Sequence, residues 1–193
     1  FNLIVKSDSN NIGDREISAG IHPWYIENEN ITAQIDNLRQ IAQHKNVKII
    51  GECGLDNITK NEIQKDVFWE QIKIAEDNQK PIIIHCVKAF EELMAIKKQY
   101  GKPKMPWIIH GFNKKPELAK ALQKLGFYFS FGSAILHSES AQKSLQLVGL
   151  ERIFFETDES EIHISEIYNK AAKLLKNNNL EEKISENYNN IFK

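Results

Sequence analysis

A strong charge of one sign is missing from this sequence. Its 193 residues carry 25 Lys and Arg against 26 Asp and Glu, a formal net charge of −1. That balance excludes the broadly basic surface of a protein that coats nucleic acid. It leaves open a hydrolase that needs only a local phosphate site. Long apolar runs are absent too, and none approaches the ~20 residues of a membrane span. Only two cysteines occur, Cys53 and Cys86, which points to reduced thiols and a cytoplasmic home rather than a disulfide scaffold. There is no Gly-rich phosphate loop, no Gly-x-Ser-x-Gly elbow, no Cys/His zinc-finger spacing and no internal repeat.

What is present is a recurring pattern of short apolar runs, each ending in a residue able to bind a metal or move a proton. Val47 to Ile50 is a β-branched run that leads into Glu52, framed by Gly51 and Gly54. Glycine there permits close backbone approach and backbone angles that other residues resist. Pro81 to Ile84 leads to His85, and Trp107 to Ile109 leads to His110. Ile153 to Phe155 leads to Glu156 and Asp158, and Ser18 to Ile21 leads to His22. In a parallel β/α fold, such strand ends share one face, where these folds do their chemistry.

Between the strands, apolar spacing of three and four predicts helices over about 30–44, 61–79, 88–100, 116–125, 138–149, 165–176 and 181–188. Seven strands begin near residues 2, 17, 47, 81, 106, 127 and 152, with a polar loop from the first strand through Gly13. Alternation of this kind means one α/β domain over 1–193 with a parallel sheet. A compact TIM barrel short of its first strand fits five reactive strand ends. It does so better than an open sheet, which gathers its ligand at a single switch point.

Glu52, His85, His110 and Asp158 form a mixed nitrogen and oxygen set suited to zinc, manganese or magnesium. Two such cations about 4 Å apart can stabilise both the attacking and the leaving oxygen of a phosphate displacement. His22, in its Gly-Ile-His-Pro setting, is expected to contact substrate or support a ligand. His44 reads as structural at a helix C-terminus, and His137 and His163 as solvated. Trp24, Tyr25 and Phe112 lie beside the same loops, where aromatic rings either stack on bases or pack in the core. Glu156, two residues before Asp158, is expected to face the same way along a strand and to orient a ligand. By the same alternation, Cys53 and Cys86 point away from Glu52 and His85.

Six short motifs then carry a resemblance. Gly-Ile-His-Pro-Trp-Tyr (20–25), Ile-Gly-Glu-Cys-Gly-Leu-Asp (50–56), Pro-Ile-Ile-Ile-His (81–85), Ile-His-Gly-Phe (109–112), Tyr-Phe-Ser-Phe-Gly (128–132) and Phe-Glu-Thr-Asp (155–158) resemble, in order, those of the TatD family of metal-dependent hydrolases. The resemblance implies a TIM barrel of the amidohydrolase type and a deoxyribonuclease that uses two divalent metal ions on DNA, single strands or ends. It implies that Glu52 bridges the metals and that His85 and His110 hold one of them. Asp158 belongs to the other and helps deprotonate the attacking water. Cys53 stands where the family usually has Ile, a change expected to be tolerated.

The family's barrel opens with a strand ending in His-x-His, and that motif occurs nowhere in this sequence. The expectation is that roughly ten to twenty residues, a strand and a loop, precede Phe1. Two rival readings keep the residues and change the outcome. One is a hydrolase of a non-nucleic-acid ester, lactone or amide; the other is a non-catalytic barrel that binds one metal or a partner. No membrane or obligate protein partner is expected.

Overall fold

The computed structural model describes residues 2–6, 12 and 14–192. The loop expected through Gly13 lies largely outside the described residues. Strands and helices alternate as the apolar spacing predicts, in two compact units, Phe1–Trp107 and Ile108–Lys193.

The first unit holds four parallel strands in chain order, β1 (Asn2–Ile4), β2 (Ile17–Gly20), β3 (Val47–Asp56) and β4 (Ile82–Val87). Three helices accompany them, α1 (Ile31–Ile41), α2 (Gln64–Asp77) and α3 (Phe90–Tyr100). Their apolar stripes are buried: Leu38 and Ile41 from α1, Val67, Phe68, Ile72 and Ala75 from α2, Leu93 and Ile96 from α3. Phe68 meets Trp107 edge-on at 6.0 Å between ring centroids, a geometry that adds about 0.5–1.5 kcal/mol to the burial itself. On the outer surface, Arg39 of α1 reaches Glu70 of α2 at 2.6 Å.

One expectation needs correction here. The strand that carries Glu52 does not stop at Ile50, and His85 is not the last residue of its strand. β3 continues through Glu52 to Asp56, and β4 through His85 to Val87. The glycines explain how. Gly51 and Gly54 take φ values of +133° and +138°, closed to most side chains. The β3–β4 register shifts between Ile50 and Cys53, then pairing resumes from Cys53 with Ile84 to Asp56 with Val87. A Cβ on Gly51 would overlap the Ile83 carbonyl, one on Gly54 the His85 carbonyl, and one on Gly20 the Gly51 backbone. Three strands can therefore approach closely beside Glu52 only because these positions have no side chain.

The second unit holds β5 (Trp107–Ile109), which begins at the boundary, with β6 (Tyr128–Phe131) and β7 (Ile153–Phe155), parallel and in that order. Its helices are α4 (Pro116–Lys124), α5 (Glu139–Val148), α6 (Ile164–Leu175) and α7 (Leu180–Ile191). Pro116 opens α4 in the first turn, where its missing N–H costs nothing. The Ser138 hydroxyl caps α5 by accepting the Ala141 amide at 3.3 Å. Asn187 ties α7 to the start of β7, donating to the Leu150 and Ile153 carbonyls at 2.7 and 3.2 Å.

A second correction concerns β7, which ends at Phe155. Glu156 and Asp158 lie beyond it, with Asp158 in a turn at φ +49°. The two-residue alternation that would make them face one way belongs to strands and does not govern this segment.

Candidate metal centre

Glu52 is the hub of a cluster in the first unit. His85 Nδ1 lies 3.0 Å from Glu52 Oε1, and His22 Nε2 lies 3.5 Å from the same oxygen. The donor atoms of His22, Glu52 and His85 all fall within 4.8 Å of one another, the one such group of three among the described residues.

Buried glutamines hold the loops that present these side chains. Gln71 of α2 pairs with both backbone groups of Ile21, accepting the N–H at 2.7 Å and donating to the C=O at 3.0 Å. That clamp fixes the residue before His22. Gln34 of α1 donates to the Val5 and Tyr25 carbonyls at 2.8 Å and accepts the Glu27 amide at 3.0 Å. Gln64 accepts the Asp56 amide at 2.7 Å. Each supplies partners for backbone groups where strand pairing ends, as buried polar backbone requires.

The hydrogen bonds decide where the imidazole protons sit. His22 Nδ1 accepts the Trp24 amide at 3.1 Å, so the neutral ring carries its proton on Nε2, facing Glu52. His85 Nε2 lies 2.9 Å from Asp56 Oδ2. Asp56 is fully buried, and burial pushes its carboxyl pKa up. The bonds from His85, the Ile58 amide and the Trp24 indole outweigh burial and hold it below the usual carboxylate range. An ionised carboxylate only accepts, and His85 lies between two: a ring protonated on both nitrogens donates to both, whereas a neutral ring that donates from Nε2 to Asp56 turns its Nδ1 lone pair to Glu52 Oε1 across 3.0 Å.

Two acceptors at that separation repel unless a cation lies with them. A proton or a divalent ion satisfies the pair, and one nitrogen with one carboxylate oxygen suits zinc, manganese or magnesium. The residues fit a metal. His22, its proton directed inward, fits a donor to Glu52 or to a bound anion better than it fits a ligand.

The second unit carries a comparable pair. Glu156 Oε1 accepts the Gly111 amide at 2.6 Å and lies 3.2 Å from His110 Nδ1. A neutral His110 that donates from Nδ1 to Glu156 carries its lone pair on Nε2. Asp158 is exposed in its turn.

Of the rim aromatics, Trp24 is 58% exposed and Tyr25 also reaches solvent. Trp24 packs edge-on against His22 at 5.1 Å, and its indole N–H donates to Asp56 Oδ2 at 2.7 Å. Phe112 differs from the expectation that it contacts substrate. It is 2% exposed and packs edge-on against Phe129 and Phe131, so its ring has no open face for a base. Cys53 is buried with its thiol toward the Ile83 carbonyl; burial and then the nearby Glu52 push its pKa well up. It is a neutral core thiol, not a ligand. His44 accepts the Asn46 amide, His137 is exposed, and His163 caps α6.

Sequence reasoning missed the role of Asp56, although the residue closes one of the motifs. The available signal was its position, four residues after Glu52 in an extended segment, where alternate residues share a face.

Comparison with known proteins agrees with the geometry. The chain is 32% identical over 154 residues to an uncharacterized metal-dependent hydrolase of Buchnera aphidicola subsp. Baizongia pistaciae, covering 76% of this chain and 57% of that protein. It is 30% identical over 149 residues to the 3'-5' ssDNA/RNA exonuclease TatD of Pantoea ananatis, covering 73% and 56%. The chain thus spans little more than half the length of these relatives. Among solved structures, it matches YjjV, a TatD homologue from Escherichia coli K12, with a TM-score of 0.80 at 20% identity, covering 91% of this chain and 76% of that one. A TatD family hydrolase from Entamoeba histolytica matches with a TM-score of 0.77 at 17% identity, covering 91% and 74%. These likenesses give the fold, an α/β arrangement of the TIM-barrel-like hydrolase class. A sequence model described as TatD related DNase matches residues 9–193. The chain belongs to the TatD-related DNase family.

Proposed function

We propose that this chain acts as a divalent-metal-dependent phosphodiesterase that cleaves DNA, with single strands or ends as substrate. The observation that carries the proposal is the Glu52–His85 pair, two acceptors 3.0 Å apart with the far nitrogen of His85 held by Asp56. The exonuclease name of the Pantoea ananatis relative supports the choice of nucleic acid.

In this reading Glu52, His85, His110 and Asp158 would hold two divalent ions, magnesium, manganese or zinc. His110 and Asp158 enter on the order of the family's motifs, and the Glu156 contact supports His110 as a ligand through Nε2. When bound, the ions supply positive charge that favours ionisation of water and offsets charge on the phosphate oxygens. Asp158 accepts a proton from the attacking water as its oxygen bonds to phosphorus and the bond from phosphorus to the leaving sugar oxygen breaks. His22 Nε2–H donates to a non-bridging phosphate oxygen. The exposed ring of Trp24 stacks on a base, which suits a single strand because every base has a π face. No helix among the described residues is long and apolar enough to cross a membrane. The two buried cysteines, neither of them in a disulfide, support a cytoplasmic setting.

Turnover of single-stranded oligonucleotides and of simple aryl esters, each with and without added Mn2+, tests the reading. Metal-stimulated oligonucleotide cleavage that Glu52→Gln lowers more than about 100-fold is expected, since losing an outer-shell partner alone costs 10–100-fold. Metal-stimulated turnover of the esters alone would overturn the nuclease assignment in favour of carbonyl chemistry.

A further inference from the structure

Among the described residues of the first unit, Asp56 is the one wholly buried carboxylate, and it is neither a proposed ligand nor a proton acceptor in the chemistry above. Its oxygens are nonetheless crowded with donors. Oδ1 accepts the Ile58 amide at 2.8 Å. Oδ2 accepts both the Trp24 indole N–H at 2.7 Å and the His85 imidazole at 2.9 Å. The Asp56 amide is itself fixed by Gln64. One side chain of this carboxylate's partners is the exposed aromatic at the rim, and the other is a candidate metal ligand.

We propose that Asp56 is a positioning residue that fixes His85 as its Nε2–H tautomer through an oxygen shared with the Trp24 indole, so that the metal-ligating nitrogen and the rim aromatic are set by one group. The proposal deepens the metal-site reading and rests on it for the role of His85.

A neutral imidazole has one donor and one acceptor nitrogen, and the group bonded to one fixes the other. Asp56 can only accept and is anchored by two further donors, so a neutral His85 that donates to it presents the Nδ1 lone pair toward Glu52, the nitrogen a cation beside Glu52 needs. The shared oxygen also limits how far either ring can turn. Rotation of the indole away from Oδ2 leaves the His85 imidazole bonded to that oxygen, and lateral shift of the carboxylate toward Trp24 draws it from His85. Neither effect requires Asp56 to touch metal or substrate.

Substitution Asp56→Asn keeps the shape and replaces one acceptor oxygen with a donor NH2. The backbone amide of Ile58, in a tight local turn, keeps the remaining oxygen, and the NH2 then faces both His85 and the Trp24 indole, which only donates and must turn away. The imidazole must answer with a lone pair on Nε2, which moves the proton to Nδ1. Trp24→Phe removes only the indole donor, at an exposed ring whose loss leaves the fold intact.

Long-range 1H–15N correlation spectra of the metal-free full chain at about pH 8 read directly which ring nitrogens carry protons. Mn2+ titration of the same samples reads affinity. The wild type is expected to show His85 as Nε2–H. Asp56→Asn is expected to lose that signature and bind Mn2+ about 10–100-fold more weakly, the usual effect of removing a partner behind a ligand. Trp24→Phe is expected to keep the tautomer and lose less than about tenfold in affinity. An Nε2–H tautomer that persists in Asp56→Asn overturns the proposal, whatever the metal affinity. A wild type that binds no Mn2+ overturns the metal-site reading instead, while the tautomer comparison still decides the role of Asp56.

Discussion

Glu156 Oε1 lies 3.2 Å from His110 Nδ1 and accepts the amide of Gly111, the next residue, at 2.6 Å. One oxygen thus fixes both the ring of His110 and the backbone that carries it. Glu156→Gln should retain the fold, because an amide oxygen still accepts from Gly111. It should weaken Mn2+ binding by about 10–100-fold, the range for an outer-shell partner. Calorimetric titration of the variant checks this, and unchanged affinity would remove Glu156 from the account.

A backbone prediction concerns Gly51. Gly51→Ala places a Cβ on the Ile83 carbonyl at a φ of +133°. Strain and overpacking together should cost about 3 kcal/mol or more. Gly132→Ala meets only ordinary contacts, with Glu156 at 3.7 Å, and should change stability by less than about 1 kcal/mol. Urea denaturation of the two variants makes the comparison, and equal losses would contradict the close strand approach beside Glu52.

Acid should release the clamp between α1 and α2. The hydrogen bond from Lys73 holds the Glu70 carboxyl below its usual range; partial burial opposes this, and the Lys73 and Arg39 charges reinforce it. A carboxyl with a lowered folded-state pKa contributes stability above its unfolded value, about 4.3. That contribution disappears as pH falls through the folded value. At this partly exposed site it should amount to about 0.5–1 kcal/mol. The stability difference between wild type and Glu70→Gln should therefore shrink from pH about 7 to about 3; a constant difference would show that the ion pairs contribute nothing.

The element order was legible because apolar spacing and breakers agree. Ile31, Ile35 and Leu38 mark α1, Pro116 opens α4, and β-branched runs mark the strands. Glu52 and His85 were legible as a pair because each follows such a run. The close backbone approach at Gly51 and Gly54 was legible, but the length of β3 was not, since the apolar run stops at Ile50 while the strand continues through a register shift to Asp56. Phe112 illustrates another limit. An aromatic beside a metal-ligand motif looks the same in sequence whether it faces a base or Phe129. The clamps made by Gln34, Gln64 and Gln71 were also hidden, because a glutamine on a helix ordinarily faces water. Only the backbone groups of Ile21, Tyr25 and Asp56, left where strand pairing ends, give these side chains a reason to be buried.

The central claim is that a divalent cation is held between Glu52 and His85. Titration of the full chain with Mn2+, followed by the electron paramagnetic resonance signal of the free ion, tests it most directly. The account predicts that the wild type suppresses the free-ion signal until a stoichiometric site is filled, and that Glu52→Gln leaves the signal proportional to added Mn2+. Identical titrations for the two proteins would contradict it.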